Sequence, residues 1–330
     1  MVARSALWMT TVVVLAFLLS VLSWPSIPTT DAQEAWMPPP KEKRCPSKWG
    51  ANDERGAANL LTPAKLLEAT KLIKEGQVYE LGRVLEAGIP TFGVRRFGIY
   101  TARTTHIRGR NDNRSNEELV VTELGQVGTQ FDGLAHITIG GLAYNCYDTM
   151  PTDRPLRYGF DKMGVEKVGT IFTRGVLVDI AGLKGLDMLA AGYEITRADL
   201  EEALRKQGVT INPGEAVLIH TGWGKLWMQD NAKYNGSPAG PGIEAANWLV
   251  ERQPVLVAAD TFPLEVFPNP DKDLFAPVHQ ILLVMNGIYI LENLDLEGLA
   301  RDKVYEFAFV LQPLKIKGGT GSTVAPSAIK

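Results

Sequence analysis

The second half of the chain alternates short apolar runs with capped helical segments. Residues 175–180, 216–220, 254–259 and 288–291 are almost continuously apolar, as strands covered on both faces are. Residues 305–311 close the set. Between them, Thr196 with Asp199 three positions on opens a helix, and its stripe of Leu200, Ala203 and Leu204 runs to Gly208. Residues 243–252 and 275–285 read as two more helices. In the first half, Thr62-Pro63 starts a helix over 64–74 that Gly76 stops. Residues 78–81 and 119–124 read as strands. Residues 86–118, rich in Arg, Gly and Asn around Pro90, Phe92, Phe97 and Tyr100, read as a long irregular binding loop or lid. Strands alternating with helices, without an internal repeat, predict one α/β domain.

The stretch from Gly125 to His136 breaks this pattern. It gathers two carboxamides, one carboxylate and one imidazole in a chain with 4 histidines. Read as extended, Gln126, Gln130, Asp132 and His136 share one face, while Val127, Thr129, Phe131 and Ala135 turn to the other. A one-sided cluster rich in oxygen donors, with one histidine, suits a divalent cation and a base that activates water. The alternative is a polar, glycine-rich turn following a strand.

Composition narrows the classes. With 45% hydrophobic residues, 22% charged residues and a net charge of −3, the chain has no basic stripe to bind nucleic acid. Arg4 precedes an apolar run over 6–22, and Thr30-Asp31-Ala32 offers small residues at a cleavage site. The expected organisation is a signal peptide over 1–32, a proline-rich leader over 33–48 and one domain over 49–330. The product would be periplasmic or secreted, with no stable membrane insertion after cleavage; an uncleaved anchor is the competing reading. Cys45 and Cys146 are the 2 cysteines. An exported compartment permits a disulfide between them, and two unpaired thiols remain the alternative.

The 126–136 segment resembles the cyclase family of metal-dependent hydrolases, which includes kynurenine formamidases and isatin hydrolases. That family's H-x-G-T-H-x-D-x-P-x-H pattern stands here as Gln126-x-Gly128-Thr129-Gln130-x-Asp132-x-Leu134-x-His136. The two glutamines replace histidines, as in a branch that includes zinc-dependent dienelactone hydrolases. The resemblance runs from Trp49-Gly50 to Gly321-Ser322, and His279 with Glu292 downstream matches a second landmark.

The resemblance implies a fold of mixed β-sheets flanked by helices and a homo-oligomer. It also implies a divalent metal, Zn²⁺ or Mn²⁺, held by Gln126, Gln130, Asp132, His279 and Glu292, with His136 as general base. The implied reaction is hydrolysis of an amide, formamide or lactone in a small-molecule substrate. The activity would be arylformamidase-like, with N-formylkynurenine hydrolysis in tryptophan catabolism as the nearest named case. The competing function is a metal-free relative that binds a small exported ligand without turnover.

Overall fold

A nine-stranded mixed sheet carries three of the metal-ligand candidates, Gln130, Asp132 and Glu292, close to one of its edges. The computed structural model describes residues 35–107, 109–151 and 158–330; the signal peptide expected over 1–32 lies outside the described residues. Residues 38–330 make one compact unit.

In chain order the strands are β1 (Val78–Glu80), β2 (Phe97–Ile107), β3 (Asn113–Thr122), β4 (Gln130–Asp132), β5 (Ile171–Asp179), β6 (Glu194–Ile195), β7 (Ala216–His220), β8 (Gly240–Pro241), β9 (Leu256–Ala259), β10 (Tyr289–Glu292), β11 (Glu306–Leu311), β12 (Gly321–Thr323) and β13 (Ser327–Ile329). The large sheet runs β1-β13-β11-β5-β7-β9-β10-β4-β12. Its centre, β5-β7-β9-β10, is parallel. Antiparallel strands extend it on both sides, β11, β13 and β1 on one and β4 and β12 on the other. The mixed α/β fold is the one expected.

Every residue of β7, β9 and β10 is buried, which is why these strands read as unbroken apolar runs. Leu177, Leu218, Ala258, Leu291 and Phe131 belong to one hydrophobic cluster. The helix Arg197–Gln207 carries the predicted capping box. Thr196 Oγ1 accepts the Asp199 amide at 3.2 Å, and Asp199 Oδ2 accepts the Thr196 amide at 3.0 Å.

The first half departs from its pattern. The helix ends at Thr70 and leaves Leu66 and Leu67 exposed. Residues 97–122, expected to be mostly irregular, form the β2-β3 hairpin. Its apolar side chains pair across the strands, Ile99 with Val120 and Tyr100 with Leu119, yet all four remain exposed. A hairpin whose described side chains form no buried face leaves no alternating pattern to read. Residues 90–96 stay irregular and lead into it.

Cys45 and Cys146 are disulfide-bonded, with Cα atoms 6.0 Å apart. The bond ties the short helix Lys41–Arg44, inside the expected leader, to the turn at Tyr144–Cys146. In the chain-entropy model a closure of this length contributes about 4–5 kcal/mol. No helix among the described residues is long and apolar enough to cross a membrane.

Candidate metal centre

Strand β4 is three residues long and paired on both sides. Gln130 faces Glu292 of β10 and Thr323 of β12, while Phe131 faces Leu291 and Ser322. The side-chain period of two puts Gln130 and Asp132 on one face and sends Phe131 into the core, 4.9 Å from the ring centre of Tyr289. β12 can lie this close because position 321 is glycine: a Cβ there would meet Phe131 O at 2.9 Å.

Gln126 and His136 reach the same face through turns, not along one continuous strand. Gly128, at φ +69°, turns the chain between the two glutamines. That turn is fastened by Asn293, whose Nδ2 donates to Gly128 O at 2.7 Å, and by Thr129, whose hydroxyl donates to Asn293 O at 2.8 Å. The threonine of the motif is therefore a positioning residue. Gln126 Nε2 donates to Asp132 Oδ1 at 2.7 Å, and Gln130 Nε2 donates to Glu292 Oε2 at 2.7 Å. His136 Nε2 lies 3.8 Å from Asp132 Oδ2, and its Nδ1 stands 3.3 Å from Gln126 Nε2.

His279 enters from the opposite side, on a helix that begins at Pro277 and continues with π-helical hydrogen bonding over Gln280–Met285. Its Nε2 stands 3.2 Å from Glu292 Oε1 and 3.7 Å from Asp132 Oδ2. Its other ring nitrogen meets Glu265 Oε1 at 2.5 Å. The same carboxylate accepts the amides of Val278 and His279 at 3.0 and 2.9 Å. Glu265 thus caps the helix and orients the ring so that Nε2 faces Glu292 and Asp132. Burial alone would lower the His279 pKa, but the hydrogen bonds to Glu265 and Glu292 outweigh it and hold the imidazole well above its usual range.

The residues present fit a divalent cation. Asp132, His279 and Glu292 offer ligand atoms within 4.8 Å of one another, and all three are buried. Asp132 Oδ2 is enclosed and has no hydrogen-bond partner among the described residues. Burial raises the Asp132 carboxyl above its ordinary value. Such an oxygen costs free energy unless a positive charge faces it. Two carboxylates and one imidazole, with carboxamides alongside, form a hard oxygen and nitrogen donor set.

Above these donors opens a cavity of about 650 Å³, counting its mouth. Its walls are Phe92, Phe262, Phe267 and Phe275, and its polar lining includes Gln126, His136, His279, Glu292 and Arg95. Aromatic walls around a few convergent polar groups are the usual form of a small-molecule site.

The cyclase family model matches residues 30–266. A solved structure described as a novel cyclase is 35% identical, with a TM-score of 0.76 over 86% of this chain and 96% of that one. The chain belongs to the cyclase family. Isatin hydrolase A from Ralstonia solanacearum shares the fold at 22% identity and a TM-score of 0.57, covering 82% of this chain and 98% of its own. Isatin hydrolase A from Labrenzia aggregata, solved with benzyl benzoate, shares it at 22% identity and 0.55, covering 80% and 97%. A search of curated proteins gives no significant match. The family match takes in the 126–136 segment and Glu265 and stops before His279 and Glu292.

This member of the family has a second buried histidine cluster. His220 Nδ1 contacts Asp179 at 2.7 Å and its Nε2 contacts Glu297 at 3.2 Å. Burial lowers its pKa, but both carboxylates outweigh that and carry it to about 10. Lys225 Nζ stands 3.6 Å from Glu297, and both Asp260 oxygens are taken by donors from Thr221 and Gly224. The cluster already has its cations, so it is an internal ion network.

Proposed function

We propose that this chain is a metal-dependent hydrolase of an aryl amide, formamide or lactone, with arylformamidase-type chemistry as the nearest activity. The observation that carries the reading is the buried, partnerless Asp132 oxygen beside His279 and Glu292 at the floor of an aromatic cavity. Asp132, Glu292 and His279 would hold Zn²⁺ or Mn²⁺, with Gln126 and Gln130 as neutral members of the set. A divalent ion would supply Lewis acidity there, polarising a carbonyl and lowering the pKa of water towards about 7.

The remaining work falls to side chains. Phe92 and Phe262 orient a planar substrate. His136, at the cavity wall within 3.8 Å of Asp132, takes the proton from attacking water and returns it to the leaving nitrogen or oxygen.

The test is metal analysis of the purified protein together with turnover of formanilides and aryl lactones. About one ion per chain and metal-dependent turnover are expected. The His136→Ala variant should keep the ion and lose on the order of 10²–10⁴ in kcat. Tight small-molecule binding with no turnover at any metal loading would favour a metal-free binding protein instead.

We infer also that the mature protein works in an exported compartment, on the apolar run at 6–22 and the Cys45–Cys146 bond, since disulfides persist where the medium is oxidising. Recovery of the chain with two free thiols from a reducing compartment would overturn this.

A further inference from the structure

Among the described residues Arg95 is the single lysine or arginine lining the cavity. With Gln126 and Gln130 it also lines the smaller recess adjoining it. Its guanidinium carbon is 5.2 Å from the ring centre of Phe262, which lies 5.5 Å from that of Phe92. A guanidinium over an aromatic face keeps its edge donors free for a planar anion.

Among the described residues no carboxylate forms an ion pair with Arg95. Glu123 feels its charge least among the influences that hold that carboxyl down, and takes the Arg96 amide instead at 2.8 Å. Within the cavity, Glu265 is engaged by His279 and Val278, and Glu292 by Gln130, His279 and the Leu264 amide. The backbone that presents Arg95 is anchored on both sides. Asn235 Nδ2 donates to Thr91 O at 3.1 Å, the Arg95 amide reaches Phe92 O at 3.4 Å, and Arg96 is held by Glu123.

We propose that Arg95 selects substrates carrying an anionic group, a carboxylate, on or beside the aromatic ring. The proposal rests on the hydrolase reading for the word substrate, and on the cavity alone for anion recognition. A carboxylate is planar and accepts two parallel N–H donors, which the guanidinium fork supplies. The ring of the same molecule would lie against Phe92 and Phe262, and its acyl group would extend to the floor.

Two measurements separate this proposal from the reaction itself. Binding of benzoate, phenylacetate and 3-phenylpropanoate, each beside its carboxamide, is measured by calorimetry on metal-loaded wild type, Arg95→Gln and Arg95→Lys. At least one acid should bind wild type tenfold or more tighter than its amide. Arg95→Gln should abolish that preference while changing amide affinity less than twofold, and Arg95→Lys should keep part of it. A preference for acid that survives Arg95→Gln comes from the metal or elsewhere and overturns the proposal, as does equal weakening of acid and amide. Turnover of formanilide and its ring-carboxylated forms is the second measurement. Its complete failure sinks the hydrolase reading, while the binding comparison still decides the role of Arg95.

Discussion

Gln130 and Glu292 stand opposite each other across the antiparallel β4-β10 pair, joined by a 2.7 Å hydrogen bond from amide to carboxylate. The register therefore places position 130 among the charged donors. Imidazole is a better donor to zinc than a carboxamide, so Gln130→His should bind the metal more tightly. Chelator competition measures this. Unchanged affinity would show that position 130 does not reach the ion.

Asp132→Asn should reverse the order of stability with and without metal. The wild-type chain buries a carboxylate oxygen that accepts no hydrogen bond among the described residues, a cost the neutral amide reduces. With chelator present, the variant should melt at or above the wild-type temperature. With zinc added, wild type should rise and the variant should not, because a ligand stabilises only the form that binds it. A variant that melts lower with chelator and rises equally with zinc contradicts the assignment.

Glu265→Gln tests the positioning of His279. The carboxylate accepts from the ring nitrogen and from two amides at once, and a carboxamide cannot replace both oxygens. Removing such an outer partner typically costs about 10–100-fold in metal affinity. The expected outcome is that loss with an unchanged circular dichroism spectrum. Full affinity in the variant would leave Glu265 as a helix cap alone.

The His220 cluster gives a pH dependence with a definite sign. The His220 pKa is raised from 6.5 to about 10, so its contribution is complete below about pH 6.5 and fades as pH rises through about 10. Burial pushes Asp179 up, but the hydrogen bond to His220 outweighs it and leaves that carboxyl below its ordinary value. The Asp179 contribution is present above about pH 3.8 and lost as pH falls. Breaking a buried pair by removing one partner costs about 3 kcal/mol. Denaturation of wild type and His220→Gln should differ by about that much near pH 6, and by clearly less near pH 10.5. An equal gap at both pH values would show that His220 is not held charged.

The sequence shows the site unevenly. Gln130 and Asp132 could be read from parity because β4 is a true strand, whereas Gln126 and His136 join them through turns that parity cannot describe. Thr129 could be placed in the motif but not in its role, since its partner Asn293 is distant in the chain. Glu265 belongs to no motif, although a lone acid between Leu264 and Val266 is the kind of residue that needs a buried partner. Strands β12 and β13 are three residues each, too short to show a period, and the β2-β3 hairpin buries no face that would write one. The parallel centre was legible because its strands are covered on both sides.

The pairing of Gly321 with Asp132 also has a meaning in time. A ribosome releases the chain from its N-terminal end, so Gln130 and Asp132 are made long before β12, and β10 only shortly before it. Until Gly321–Thr323 has emerged, β4 has an open edge and the Gly133 amide lacks the Thr320 carbonyl that it donates to at 2.8 Å. The centre is therefore among the last parts of the molecule to become complete, and its closing contacts are far apart in sequence, a topology that folds slowly. A nascent chain can hold most of its core while still lacking a finished site.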